Sequence, residues 1–319
     1  MTHDIIAIGA SAGGIEVLFN LVHALPADLP ASVFIVVHLA PNQPSVLPDL
    51  LTHRGPLPAK HPLHDEEIVP GHIYVAPPDN HLMIRQGSMA VVRGPKENGH
   101  RPAADALFRT AATAYGPRVI GVVLSGYQTC GTAGMLSIKA RGGMCVVQSP
   151  ATALAKDMPR SVIDQVSVDH IVDPEELPQL LARLVRVPAG PEIQPDTFIK
   201  QLEGQELGAA VEIVCPLCDG VLTEAQRDAY QHFRCHVGHA FSPDSLVREQ
   251  SEAVERALWA AIRALEESAA LSARLSMRET GDLRERFSEK ANSQLDNAKL
   301  IRQIVLNGNL LTRADGSKL

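Results

Sequence analysis

Aromatic side chains are scarce in this 319-residue chain, 4% in all, so its core must be built chiefly from Val, Ile, Leu and Ala. No apolar stretch approaches the roughly 18 residues of a membrane span, and no positively charged start leads into the apolar run of a secretory signal. No basic stripe runs along the chain, and with a net charge of −7 nucleic acid is not its main partner. Cysteines number five, three clustered at metal-ligand spacing and two isolated, which is no disulfide framework. Together these absences predict a cytoplasmic protein without membrane insertion. Its 45% of hydrophobic residues suffice for a sizeable core. The length fits one large domain plus a smaller one, or two of ordinary size.

Apolar runs alternate with helical patterns through about residue 185. The runs are Ile5–Ile8, Val33–Val37, Ile73–Ala76, Val119–Leu124, Met144–Val147 and a short His170–Val172. Helical spacing fills Ala103–Ala114 and Ala133–Ala140, and Leu82–Ile84 with Met89–Val92 reads as a hairpin across Gln86-Gly87-Ser88. The pattern predicts an α/β fold, a doubly wound and mostly parallel sheet with an inserted antiparallel hairpin. Function in such sheets lies at the carboxyl ends of the strands. Ser11, His38, Asp79-Asn80-His81, Ser125 and Gln148 stand just there.

The first strand breaks into Gly9-Ala10-Ser11-Ala12-Gly13-Gly14, a Gly-x-Ser-x-Gly turn leading into a helix. Glycines at both flanks allow a sharp bend, and amides at a helix start favour an oxyanion. A buried structural serine or a phosphate-binding loop would read the same way. His38, ending the neighbouring run, is within reach as a base for Ser11 or is a satisfied structural histidine. A dinucleotide turn fits worse, because Ser11 replaces its second glycine and His38 stands where a ribose-binding acid is expected.

Seven motifs, in order over about residues 3–185, resemble the catalytic domain of the chemotaxis protein-glutamate methylesterase, CheB. They are Gly9–Gly14, Val37-His38-Leu39, Gly71–His81, His100–Phe108, Val123–Gly126, Gly131–Met135 and Asp157–Arg160. The resemblance implies hydrolysis of γ-glutamyl methyl esters on receptor helices, and glutamine deamidation in some members. It makes Ser11 the nucleophile, His38 the base, and Ala12 and Tyr127 the oxyanion and substrate-lining positions.

Cys130 stands where the family's triad aspartate belongs. A thiol with a reference pKa of about 8.5 is mostly uncharged at neutral pH and a weak acceptor. Three expectations follow: a Ser11–His38 dyad aided by water or another carboxylate, a catalytically impaired receptor-binding adaptor, or a redox or thiolate role for Cys130. Asp79 and Asp105 are the candidate substitute acids. Ala12 and Tyr127 replace the Thr and Met of the best-known members. Chemotaxis members usually carry an N-terminal receiver domain; here strand one begins near residue 4, so no aspartate-phosphate switch in cis is expected.

Residues 1–187 are thus read as the methylesterase domain and 188–206, rich in Pro and Gly, as a linker. In 207–241, Cys215-Pro216-Leu217-Cys218 and Cys235-His236-Val237-Gly238-His239 have the spacing of a structural zinc site, with Cys215, Cys218, Cys235 and His239 as ligands. His236 is the poorer ligand, being adjacent to Cys235. The segment resembles the zinc-ribbon-like extension of some stand-alone family members. No metal is expected in catalysis.

Residues 242–308 read as a helical hairpin. Ser242-Pro243-Asp244 starts it, and it carries stripes Val254, Leu258, Ala261, Leu265, Ala269 and Leu283, Phe287, Ala291, Leu295, Ala298, Ile301, Val305. A polar tail occupies 309–319. The expected partners are a methylated chemoreceptor or similar signalling protein, with a methyltransferase or separate response regulator as further candidates.

Overall fold

The computed structural model describes residues 1–39, 41 and 43–306; the polar tail expected at 309–319 lies outside them. Two compact units are present, Met1–Leu246 and Val247–Leu319, the second described through residue 306.

The first unit opens with β1 (Ile5–Ala10), α1 (Gly14–Ala24), β2 (Ser32–Val37), α2 (Leu47–Arg54), β3 (Ala59–Lys60) and β4 (Ile73–Val75). A hairpin, β5 (His81–Arg85) and β6 (Ser88–Val92), precedes α3 (Ala104–Tyr115), β7 (Val119–Val123) and α4 (Thr132–Ala140). Then follow β8 (Met144–Gln148), α5 (Asp157–Gln165), β9 (His170–Val172) and α6 (Leu177–Leu184).

Seven strands form one sheet in the order β3-β4-β2-β1-β7-β8-β9, every neighbouring pair parallel. The hairpin β5–β6 is antiparallel and separate. Strands buried on both faces need continuous apolar sequence, and β1, β2 and β7 are buried at every position.

Alternate residues of those strands supply the two halves of the core. Ile6, Ile8, Val33 and Ile35 join α1, α2 and the i, i+3, i+4, i+7 stripe Leu177, Leu180, Leu181, Leu184 of α6. Ile5, Ala7, Phe34 and Val36 join α3, α4 and α5 on the other face. At about 1.5–3 kcal/mol for each large apolar side chain removed from water, these two layers dominate the fold's stability.

The chain runs outward from β1 through β2 to β4, then returns to β7 on the other side of β1. The strand order therefore reverses between β1 and β7, which is where a crevice opens in this architecture.

Beyond α6 the Pro-rich stretch is tied to the sheet domain, with Ala189 N donating to Met1 O at 2.9 Å. It also contains α7 (Thr197–Leu202), capped by Asp196, whose carboxylate accepts from Ile199 N at 3.0 Å. Phe198, Ile199 and Leu202 of α7 are buried. Just beyond the helix Glu203 forms a two-pronged ion pair with Arg141, at 2.8 and 2.7 Å.

An antiparallel sheet follows, in the order β10 (Ala209–Val214), β11 (Val221–Arg227), β12 (Tyr230–Cys235), β13 (Ala240–Phe241). The last elements are α8 (Pro243–Ser276) and α9 (Asp282–Leu306).

In the second unit α8 and α9 run antiparallel: Gln294 bonds Ser268 at 2.7 Å, and Arg302 bonds Glu266 at 2.7 Å. Their contact buries Ile262, Ala269, Ser272, Ala291, Ala298 and Val305, so small and polar residues share the seam with apolar ones. Val254, Leu283 and Leu295 of the expected stripes are exposed instead. No described helix is long and apolar enough to cross a membrane.

Candidate active site

Ser11 begins the turn between β1 and α1. Its amide donates to Ser125 O at 2.9 Å, and Gly14 N donates back to Ser11 O at 3.0 Å. Gly13 caps α1 at φ 80°, and a Cβ there would sit 2.6 Å from Leu154 Cβ and 2.9 Å from Ser125 Oγ. Only glycine meets both the backbone angle and the space.

Ser125, fully buried, fixes this turn from the β7 side. Its hydroxyl lies 2.7 Å from Ala12 O, accepts from Ala155 N at 2.9 Å, and its amide donates to the Gln148 side chain at 2.9 Å. Gly126 follows so closely that a Cβ on it would stand 2.8 Å from Ser11 Cβ.

His38 comes directly after β2. The parallel ladder pairs Ala10 with Val37, and His38 N donates to Ala10 O at 3.3 Å, so Ser11 and His38 occupy the next register position. Adjacent strands are about 4.8 Å apart, which brings the two residues side by side at the carboxyl end of the sheet. Both border one cleft of about 650 Å³, with Ala12, Gly13, Glu16, Phe19 and Leu154 among the other lining residues.

The imidazole of His38 is stacked on that of His100, with centroids 3.8 Å apart and planes 7° from parallel. His100 is held by the segment around it. Arg101 binds Gly94 O at 2.7 Å and Asp79 at 2.9 and 2.7 Å. His81, buried, accepts from Ala103 N at 3.2 Å and pairs with Pro95 O at 2.8 Å; burial pushes its pKa down, which favours the neutral ring.

Asp79 is held below the usual carboxylate range by Arg101 first, with a smaller contribution from Arg93, 2.9 Å away. Asp105 accepts from Asn98 Nδ2 at 2.9 Å and Gly134 N at 2.8 Å, and burial pushes its pKa up. Both candidate substitute acids are thus committed to holding loops.

Cys130 is completely buried in the core cluster on the α3 face, not among the residues bordering the cleft. Burial first, and then the Asp105 carboxylate, push its thiol well above the ordinary value, against the amides of Asp105 and Ala104. It is a neutral thiol at physiological pH. Tyr127 is 58% exposed and likewise outside the cleft lining, whereas Ala12 lies beside Ser11 within it.

In the antiparallel sheet, Cys215, Cys218, Cys235 and His239 bring one ligand atom each to within 4.8 Å of one another. Two tight turns present them: Asp219 N donates to Cys215 O at 2.9 Å, and Gly238 N to Cys235 O at 2.9 Å. Both Cys215 Sγ and Cys235 Sγ lie 3.6 Å from His239 Nδ1, and Cys218 Sγ lies 3.6 Å from Cys235 Sγ. A tetrahedral zinc with bonds of about 2.3 Å to sulfur and 2.0–2.1 Å to nitrogen sets its ligand atoms about 3.5–3.8 Å apart, so the donor set fits that ion.

A doubly wound sheet whose crevice is bordered by a serine turn and a strand-end histidine defines an α/β protein with the layout of a hydrolase. A model of the CheB methylesterase family matches residues 6–181, more than half the chain, and the protein belongs to that family. A putative protein-glutamate methylesterase/protein-glutamine glutaminase of Leptospira interrogans is 36% identical over 185 residues, 58% of this chain and 96% of that protein.

Protein-glutamate methylesterase/protein-glutamine glutaminase 4 of Myxococcus xanthus is 36% identical over 181 residues, 56% of this chain and 50% of its own length. The Salmonella typhimurium enzyme of the same name is 34% identical over 197 residues, covering 60% of this chain and 56% of its own length. The crystal structure of the Thermotoga maritima CheB methylesterase catalytic domain is similar at a TM-score of 0.55 and 31% identity, covering 58% of this chain and all of that one.

Proposed function

We propose that this protein hydrolyses glutamate γ-methyl esters on a methylated chemoreceptor or related signalling protein, with glutamine deamidation as the related reaction. The observation that carries the reading is Ser11 and His38 side by side on one cleft, in a chain of the CheB methylesterase family.

Ser11 Oγ attacks the ester carbonyl carbon while His38 takes the hydroxyl proton. The resulting oxyanion is held by backbone amides at the start of α1, near Ala12, which borders the cleft beside Ser11; Tyr127, outside that lining, is given no part in holding it. Collapse expels methanol, which takes the proton from His38 and leaves a glutamyl ester on Ser11. Water then attacks that ester, giving its proton to His38. The glutamate carboxylate leaves and Ser11 regains its proton. With glutamine as substrate the first leaving group is ammonia.

Cys130 in the family's aspartate position is a neutral thiol, and this favours a slowed enzyme. Replacing the triad acid by a neutral group in a serine protease lowers turnover about 10⁴-fold. A second reading rests on the same residue: a receptor-binding adaptor that keeps the cleft without turnover.

Methanol release from methylated receptor separates the two. The enzyme reading expects slow release by the native chain and faster release by Cys130→Asp. No release from either chain would leave the adaptor. A methyltransferase or a separate response regulator would then be a partner of the same receptor complex.

Zinc is the proposed ion of the Cys215, Cys218, Cys235 and His239 cluster, with a structural role: four protein donors close its coordination sphere, and catalysis is assigned to no metal. The proposed organisation is a methylesterase domain at 1–187, a connecting stretch at 188–206, the zinc-binding module at 207–241 and the helical hairpin from 242. A cytoplasmic location accords with a cysteine-held metal and a receptor-modifying role.

A further inference from the structure

We infer that the segment leaving the metal cluster, 240–245, holds in place the two loops that back His38 and Ser11, with Asn98 and Thr129 as positioning residues. His239, a donor of the cluster, is followed at once by β13, and two residues later the chain reaches Ser242.

That short run meets the 96–98 loop along its length. Ala240 N donates to Lys96 O at 3.3 Å, and Asn98 N donates to Ala240 O at 2.7 Å, a parallel bridge centred on Glu97. Asn98 itself is buried at φ 52°, and its side chain accepts from Ser242 N and Ser245 Oγ, both at 2.8 Å. On its other side it donates to Asp105, whose second oxygen accepts from Gly134 N. Glu97 is fixed in turn by a buried two-pronged pair with Arg109 of α3, at 2.8 and 2.5 Å.

The second loop is reached through Ser242. Thr129 Oγ1 donates to Ser242 Oγ at 2.8 Å, and Thr129 lies three residues beyond Gly126, whose backbone abuts Ser11. Two residues beyond Asn98 in the first loop stands His100, stacked on His38. One segment therefore grips the loop behind the base and the loop behind the nucleophile.

A cluster that orders the cysteine turns also fixes His239, and through it the whole 240–245 run. β10 is exposed and the apolar core of this sheet is small, so a bound ion would add order to the cysteine turns that lead into 240–245. Metal occupancy and catalytic geometry are coupled by these hydrogen bonds rather than by any contact of the metal with substrate.

Two arms test this on the full-length chain. In the first, hydrogen exchange is followed by mass spectrometry before and after zinc removal with a chelator, and again after zinc is restored. Exchange in residues 96–105 and 127–132 is expected to rise and then return, with β1, β2 and β7 unchanged. A rise confined to residues 207–241 overturns the inference.

In the second arm, Ser11 is labelled with a fluorophosphonate reagent at full zinc occupancy. Thr129→Val keeps the shape but loses the hydroxyl, and is expected to slow labelling about 2–10-fold at unchanged zinc content, as one hydrogen bond's worth implies; Thr129→Ser restores it. Equal rates in all three chains overturn the inference. This arm rests on Ser11 being the nucleophile; if the native chain is not labelled, that reading fails and the exchange arm alone decides the coupling.

Discussion

His38 and His100 lie ring on ring, 3.8 Å between centroids and 7° from parallel, at the carboxyl end of β2. In the family's arrangement an aspartate would orient the base, and here Cys130 is a buried neutral thiol. The stack holds the His38 ring face to face with His100. His100→Ala is expected to lower kcat for ester hydrolysis about 2–10-fold, the value of an aromatic stack, with KM little changed. His100→Phe should recover part of the loss. Steady-state kinetics on methylated receptor check this; an unchanged kcat in His100→Ala refutes it.

Ser125 ties the Ser11 turn to the β7 and β8 loops through Ala12 O, Ala155 N and Gln148. Ser125→Ala leaves the half-buried Ala12 carbonyl and the buried Ala155 amide without that hydroxyl. Each orphaned group costs about 1–3 kcal/mol, so the urea midpoint should fall accordingly. A loss below about 0.5 kcal/mol would mean that surface-like behaviour prevails at this fully buried site.

Acid should weaken the fold well before the carboxylates titrate. His232 in β12 is buried, and burial together with Arg234 lowers its pKa to about 3. A histidine depressed in the folded state contributes stability that is complete above its unfolded pKa, about 6.5, and is lost as pH falls towards the folded value. Each pH unit in that window removes about 1.4 kcal/mol for this one group. Urea melts at pH 7 and pH 5 should differ in the native chain and differ less in His232→Gln. Equal pH sensitivity in both chains would assign the effect elsewhere.

Much of this architecture is legible in the sequence. The strands that build the sheet are continuous apolar runs because both their faces are covered; Ser11 and His38 stand out by their places at strand ends and take their proposed roles from the family resemblance, and the Cys215–His239 ligand set stands out by its spacing. Strand β3 is only Ala59–Lys60, too short for any periodic signal. Helix α7 is not legible there, because Pro188, Pro191 and Pro195 mark the stretch as broken while Phe198, Ile199 and Leu202 fill too few turns to show a period. In the helical hairpin Ala269, Ala291, Ala298 and Val305 of the expected stripes lie buried, while polar Ser272 and Gln294, which no apolar period marks, join the seam in place of Val254, Leu283 and Leu295. Asn98 and Ser242 could not be paired from sequence: they are 144 residues apart, and only the fold joins them.

The proposed reaction stands or falls on Ser11 as the nucleophile of an esterase. The direct measurement is methanol released from methylated receptor by the native chain and by Ser11→Ala at equal zinc content. Release is expected from the native chain, and none above the receptor-only background from the variant. Methanol release by Ser11→Ala at the native rate would contradict it.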